Sequence, residues 1–171
     1  AAFLADLVHD RLPFRRCREL LEVGSGVGAQ TEILLRHLPL VQVTGVDRSA
    51  DNLKRARAHL RRCPWAKGRF LLRQASAETL PFAPDTFDVV FSTEAIEHTR
   101  EPERSVLELY RVLKPGGHLA LTTPNRLWQA PVRALSAVGL RPYDGFENFL
   151  WPARLRRIVE QVGGQVAGHC G

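Results

Sequence analysis

The stretch Leu20-Leu21-Glu22-Val23-Gly24-Ser25-Gly26-Val27-Gly28-Ala29 carries the reading of this 171-residue chain. An apolar run enters a turn with glycine at alternate positions, and helix-forming residues follow. A second apolar run, Val43-Thr44-Gly45-Val46, closes on Asp47. Strand, glycine turn, helix, strand and terminal acid together make a cradle for a nucleoside. The glycines let the main chain turn sharply and approach a ligand with no side chain between. The helix behind them points unpaired amides and the positive end of its dipole at whatever sits there. Asp47 follows at a spacing of about twenty residues, which sets a carboxylate beside ribose hydroxyls. A glycine cluster that merely forms a loop is the competing reading, and the order of all the parts opposes it.

Glu22, two positions before the first glycine, bears on which nucleoside is held. A carboxylate at the lip of the turn would repel a pyrophosphate and attract a sulfonium or ammonium group. S-adenosylmethionine carries both cations, an adenosine for Asp47 and a carboxylate for the amides. The alternative for Glu22 is a hydrogen bond to neighbouring backbone. The glycine spacing does not decide, because Gly24-x-Gly26-x-x-Ala29 also satisfies the dinucleotide pattern. A nicotinamide-dependent oxidoreductase therefore stays open at this point.

Five motifs appear in order: LLEVGSGVGAQT (20–31), GVDRS (45–49), SAETLPFAPDTFDVVFS (76–92), EAIEH (94–98) and ELYRVLKPGGHLALTTPN (108–125). With them the chain resembles the class I S-adenosylmethionine-dependent methyltransferases. The nearest branch is the small-molecule one, similar to the ubiquinone/menaquinone-biosynthesis enzymes. The resemblance implies S-adenosylmethionine as cofactor. It also implies that Glu22, Gly24, Ser25, Gly26 and Gly28 face the methionine part, with Asp47 and Arg48 at the ribose. Ser76 and Ala77 would lie near adenine. Apart from the resemblance, Glu94 reads from its place close to the strand end as a contact for substrate or cofactor, with a helix-start carboxylate as the alternative. In one departure, Ser76 stands where the family usually has Asp, so a shorter, uncharged acceptor would meet the adenine amino group.

Length and composition suit one domain, 1–171, with hydrophobic residues at 44% and charged residues at 25%. Cys17, Cys63 and Cys170 are widely spaced, odd in number and without a CxxC pair. They argue against a disulfide framework or a zinc site and suit a reducing cytoplasm. The apolar candidate at 127–140 is too short for a membrane span and is interrupted by Pro131 and Arg133. The net charge of +6 comes with arginine clusters at 15–18, 61–62 and 154–157, which flank helices and lack interleaved aromatics. A solvated surface is the expectation, nucleic acid is disfavoured, and peripheral contact with a membrane stays open.

The order of elements predicts an α/β fold: a doubly wound, mostly parallel, Rossmann-like sheet. A helix is expected over 1–12, then strands at 19–23, 40–46, 69–73, 87–92 and 119–122. Helices are expected over 27–38 and 50–62, and from Pro102 to a stop at Lys114-Pro115-Gly116-Gly117. Residues 125–152, aromatic-rich and broken by Pro131, Pro142 and Gly145, read as a substrate-side insertion or lid, or else a packing flap. A helix over 152–162 and a short strand at 165–169 follow. The family's final antiparallel strand is expected to be missing, which would expose the fifth strand's edge.

Methyl transfer from a sulfonium is an in-line displacement, so the protein chiefly holds a nucleophile near the methyl. His98, just past the fourth strand, is the candidate base for a protonated nucleophile, with a structural histidine as the alternative. His9, His37, His59, His118 and His169 show no ligand spacing in sequence, and no metal is expected. The segment Phe91-Ser92-Thr93-Glu94 lacks the Asp/Asn-Pro-Pro-aromatic signature of amino-methylating nucleic-acid enzymes, and there is no Pro-Cys dipeptide. A small or lipid-like acceptor with an O, C or N nucleophile is favoured. A non-catalytic module that binds the cofactor is the second expectation, and the oxidoreductase the third.

Overall fold

Residues 17–123, 148 and 150–166 are described in the computed structural model. The helix expected over 1–12, nearly all of the 125–152 segment and residues 167–171 lie outside them. The strands are β1 (Glu19–Val23), β2 (Gln42–Asp47), β3 (Phe70–Gln74), β4 (Phe87–Thr93) and β5 (Leu113–Thr122). The helices are α1 (Ala29–His37), α2 (Ala50–Leu60), α3 (Pro102–Arg111) and α4 (Pro152–Gln161). All strand pairs are parallel, in the order β3-β2-β1-β4-β5. Strand order therefore reverses at the β1–β4 boundary, the place where ligands settle at the C-terminal ends of an open sheet.

Burial explains why β1 and β4 sit in the middle. Leu20 faces one core with Leu34, Leu35, Val43 and Phe91, while Leu21 and Val23 face the other with Val90, Ile96, Val106 and Leu109. Successive side chains on a strand point to opposite faces, so a strand apolar at every position must be covered on both. Truncating any of these leucines to Ala would cost about 2–5 kcal/mol. α2 starts where expected, because the Ser49 side chain accepts a hydrogen bond from the Asn52 amide at 3.2 Å.

The structure corrects two expectations. α3 stops at Arg111, and Lys114-Pro115-Gly116-Gly117 belongs to β5 instead of ending the helix. Phe87 pairs with Leu113 but Val89 pairs with His118, so this run bulges out of the ladder. Pro115 has no amide hydrogen to give to the ladder, and a bulge is the arrangement a strand can tolerate there. Gln165 and Val166 are not in a strand. Among the described residues the sheet has no antiparallel member, and no helix is long and apolar enough to cross a membrane.

At the N-terminal end of the sheet Asp88 ties three segments together. Its Oδ2 accepts from the amides of Arg18 and Glu19, both at 2.9 Å, and its Oδ1 accepts from Lys114 Nζ at 2.6 Å. Burial pushes the Asp88 carboxyl up, but Lys114 and the two amides outweigh it and hold it below the usual range.

Candidate active site

At the opposite end, the glycine turn is laced to its neighbours on both sides. The amides of Gly24 and Ser25 donate to the Val46 carbonyl at 2.8 and 3.0 Å, fixing the turn to the end of β2. Gly24 has φ +85°, and a Cβ there would lie 2.5 Å from the Ala95 Cβ in the loop after β4. The β1 and β4 loops thus touch through a position with room only for hydrogen. Gly26 differs: with φ +52° and nothing within 4 Å of a notional Cβ, it presents bare backbone to open space. Gly28, expected at the ligand, is buried and faces Ala56 and Leu60 of α2. Its lack of a Cβ lets α2 pack close.

Asp47 closes the turn. Its Oδ2 accepts from the Gly26 amide at 2.9 Å, and its Oδ1 from the Ser49 amide at 2.8 Å and Asn52 Nδ2 at 3.4 Å. A carboxylate oxygen has two lone pairs, so Oδ2 keeps one for a hydroxyl brought to the open side. Arg48 is exposed and reaches across to the His98 carbonyl at 3.3 Å. Beyond β3, Ala77 is buried, and the Ser76 hydroxyl is engaged by an acid two residues along the chain. It donates to Glu78 Oε2 at 3.1 Å and accepts from the Glu78 amide at 3.3 Å. Glu78 Oε1 in turn accepts from the Glu101 amide at 2.8 Å, a bond that lowers its pKa. The family pattern points to the lost Asp at Ser76, and nothing in that pattern points to the carboxylate bound to the serine.

Glu22 is not at the lip of the turn. It is 1% exposed and lies beneath the turn, with Oε2 accepting from Thr31 Oγ1 of α1 at 2.5 Å. Burial, reinforced by the charge of Asp47, pushes its carboxyl up to about 7 against the Thr31 hydrogen bond. Its Oε1 is buried and has no partner among the described residues, and the same is true of Ser25 Oγ after β1 and Ser92 Oγ on β4. An unmet buried group costs about 1–3 kcal/mol. The rim carboxylate expected from sequence is thus a buried one.

The loop after β4 supplies the remaining groups. Glu94 is exposed and adopts φ +49°, an unusual conformation for a residue with a side chain, with its amide bound to the Thr122 carbonyl at 3.1 Å. Ile96–His98 form one short helical turn. His98 is partly exposed, with Nε2 4.0 Å from Oε1 of the buried Glu97. Burial raises the Glu97 pKa, and the His98 charge opposes the rise. Asn148 carries no signal in the sequence that would mark it. Its amide donates to the Glu97 carbonyl at 2.7 Å, and its Nδ2 donates to the Thr99 carbonyl at 2.7 Å.

A cationic nucleoside fits this set: open backbone at Gly26, a spare lone pair on Asp47, and an unsatisfied buried carboxyl below. The Methyltransferase domain model matches residues 21–121, more than half of the chain. The chain belongs to the class I S-adenosylmethionine-dependent methyltransferase family. Membership brings S-adenosylmethionine as the cofactor and removes the motive for a nicotinamide oxidoreductase. The chain is 34% identical over 152 residues to the mitochondrial ubiquinone biosynthesis O-methyltransferase of Rattus norvegicus, an alignment covering 85% of this chain and 44% of that protein. It thus spans less than half the length of that relative. Its fold superposes with TM-score 0.77 on a putative methyltransferase from Bacillus halodurans C-125, at 26% identity, covering 95% of this chain and 69% of the other. It also matches the [4+2]-cyclase SpnF, with TM-score 0.64 and 30% identity, over 71% of this chain and 44% of that one.

Proposed function

We propose that this chain transfers a methyl group from S-adenosylmethionine to a small, quinone-like acceptor, with oxygen as the nucleophile. The observation that carries the reading is the meeting of open Gly26, Asp47 and the buried, half-satisfied Glu22 at the strand-order reversal. Glu22, Gly24, Ser25 and Gly26 would hold the methionine end, Asp47 and Arg48 the ribose, and Ser76, Ala77 and Glu78 the adenine side. When bound, the cofactor supplies an electrophilic methyl on a sulfonium, whose carbon–sulfur pair leaves with a neutral thioether. The chain's own contribution is to align the acceptor and take its proton. His98 would take that proton on its imidazole, whose Nε2 lies 4.0 Å from Glu97 Oε1.

Residues 125–152 would form the wall over the acceptor. Supporting this, Asn148 is hydrogen-bonded to the backbone on either side of His98. A quinone-like acceptor is suggested by the ubiquinone-biosynthesis relative, and its lipid-like character would bring the chain to a membrane surface. A reducing compartment such as the cytoplasm is supported by the free, buried thiols of Cys17 and Cys63. The likeness to SpnF motivates a second reading, a cofactor-binding chain that does not transfer the methyl.

Titration with S-adenosylhomocysteine separates the readings in two steps. Saturable heat is expected, and Asp47→Ala should weaken binding by about 1–3 kcal/mol. Absence of binding by folded protein sinks both readings. Transfer of labelled methyl to a catechol or hydroquinone acceptor then distinguishes the enzyme from the inert module.

A further inference from the structure

Behind the glycine turn, three side chains of different chemistry point at one another. Glu32 stands in the first turn of α1, its amide bound to the Gly28 carbonyl at 2.9 Å. His59 is in the last turn of α2, and its Nε2 lies 2.7 Å from Glu32 Oε2. Cys63 follows one helical turn later. The amides of Arg62 and Cys63 bond back to the His59 and Leu60 carbonyls, which keeps Cys63 on the face of His59. The carboxylate oxygen, imidazole nitrogen and thiol sulfur all lie within 4.8 Å of one another.

We propose that Glu32, His59 and Cys63 form a binding site for a zinc-like divalent cation. Bond lengths of about 2.0–2.3 Å in a tetrahedral site put donor atoms roughly 3.3–3.8 Å apart, within reach of small side-chain rotations here. Binding converts the Cys63 thiol to a metal thiolate and releases its proton to solvent. His59 gives the lone pair of its metal-facing nitrogen to the ion in place of its contact with Glu32. One thiolate and one carboxylate neutralise a divalent cation, so the occupied site carries no net charge. The C-terminal end of α2 itself favours a cation. A thiolate and an imidazole select zinc over magnesium or calcium. Cys63 is buried, while the His59 and Glu32 side chains are 44% and 26% exposed, so a solvent water has access to the fourth position. An ion held there joins α1 to α2 behind the turn that Gly28 ends.

Cobalt(II) is the direct probe, because a thiolate ligand gives a sulfur-to-cobalt charge-transfer band and a tetrahedral site gives intense visible bands. Purified chain should show both and lose them stoichiometrically to zinc. Cys63→Ser should abolish the charge-transfer band, His59→Ala should weaken zinc binding by at least about 100-fold, and Cys170→Ser should change neither. His59 is exposed, so that variant folds whatever becomes of the buried cysteine. Zinc should also raise the thermal midpoint of the parent and not of His59→Ala. A chain without the charge-transfer band, or one that keeps it in Cys63→Ser, overturns the proposal. These readouts do not depend on methyl transfer.

Discussion

The two ends of the sheet treat their acids in opposite ways. At the N-terminal end Asp88 meets two amides and Lys114, and its carboxyl is held below the usual range. At the C-terminal end Glu22 is buried with one oxygen unmet and its carboxyl pushed up to about 7. They lie on neighbouring interior strands, Glu22 on β1 and Asp88 on β4. The first arrangement stabilises the fold, and the second costs stability once Glu22 is ionised. The sign of the shift follows the partners each acid finds and not the end it occupies, since Glu78, beyond β3, is held low by the Glu101 amide.

The largest effect should come from Gly24→Ala. The new Cβ would meet the Ala95 Cβ at 2.5 Å on a backbone with φ +85°, so strain and overlap together should cost roughly 2–4 kcal/mol. Urea denaturation measures the loss, and S-adenosylhomocysteine titration should show binding gone at temperatures where the variant is still folded. Retained binding would mean that contact between the β1 and β4 loops does not shape the site.

Glu22→Gln probes the contrast between the two ends directly. A carboxyl raised in the folded state binds its proton more tightly there than when unfolded. Stability is then fullest below the ordinary value near 4.5 and declines as pH rises through about 7. Gln keeps the acceptor for Thr31 and cannot ionise, so the unliganded variant should gain up to about 3 kcal/mol at pH 8 and nothing at pH 4. It should also bind S-adenosylhomocysteine more weakly. A variant less stable at pH 8 would show that the buried charge is compensated after all.

The turn and its acid are legible in the residues because glycine spacing and strand ends are local properties. Asp47 comes beside Gly26 through the pairing of β1 with β2, which the order of the motifs already implies. The depth of Glu22 needs more tertiary information, since the same sequence pattern suits a carboxylate above or below the turn. The roles of Gly24 and Gly28 likewise depend on Ala95 and Ala56, which no spacing rule brings near. The Lys114–Gly117 run reads as a helix stop by composition, and only pairing with β4 makes it a bulge. His59 and Cys63 are four residues apart, a spacing that helical ligands share, but Glu32 joins them only through the packing of α1 on α2.

Asp88→Asn is the mirror of the Glu22 variant and a smaller perturbation. A carboxyl lowered in the folded state contributes stability above its ordinary value near 3.8 and loses it as pH falls through the folded value. The variant should be about 1–2 kcal/mol weaker at pH 7 and converge with the parent in acid, with S-adenosylhomocysteine affinity unchanged. Smaller still is Ser49→Ala. Its hydroxyl caps α2 through the Asn52 amide, and its removal should cost about 1 kcal/mol. Its own amide, which holds Asp47 Oδ1 at 2.8 Å, survives the substitution. Thermal unfolding should register the lost cap while the ligand titration stays as it was. If affinity falls too, Asp47 is oriented by the helix start as a whole and not by its backbone bonds alone.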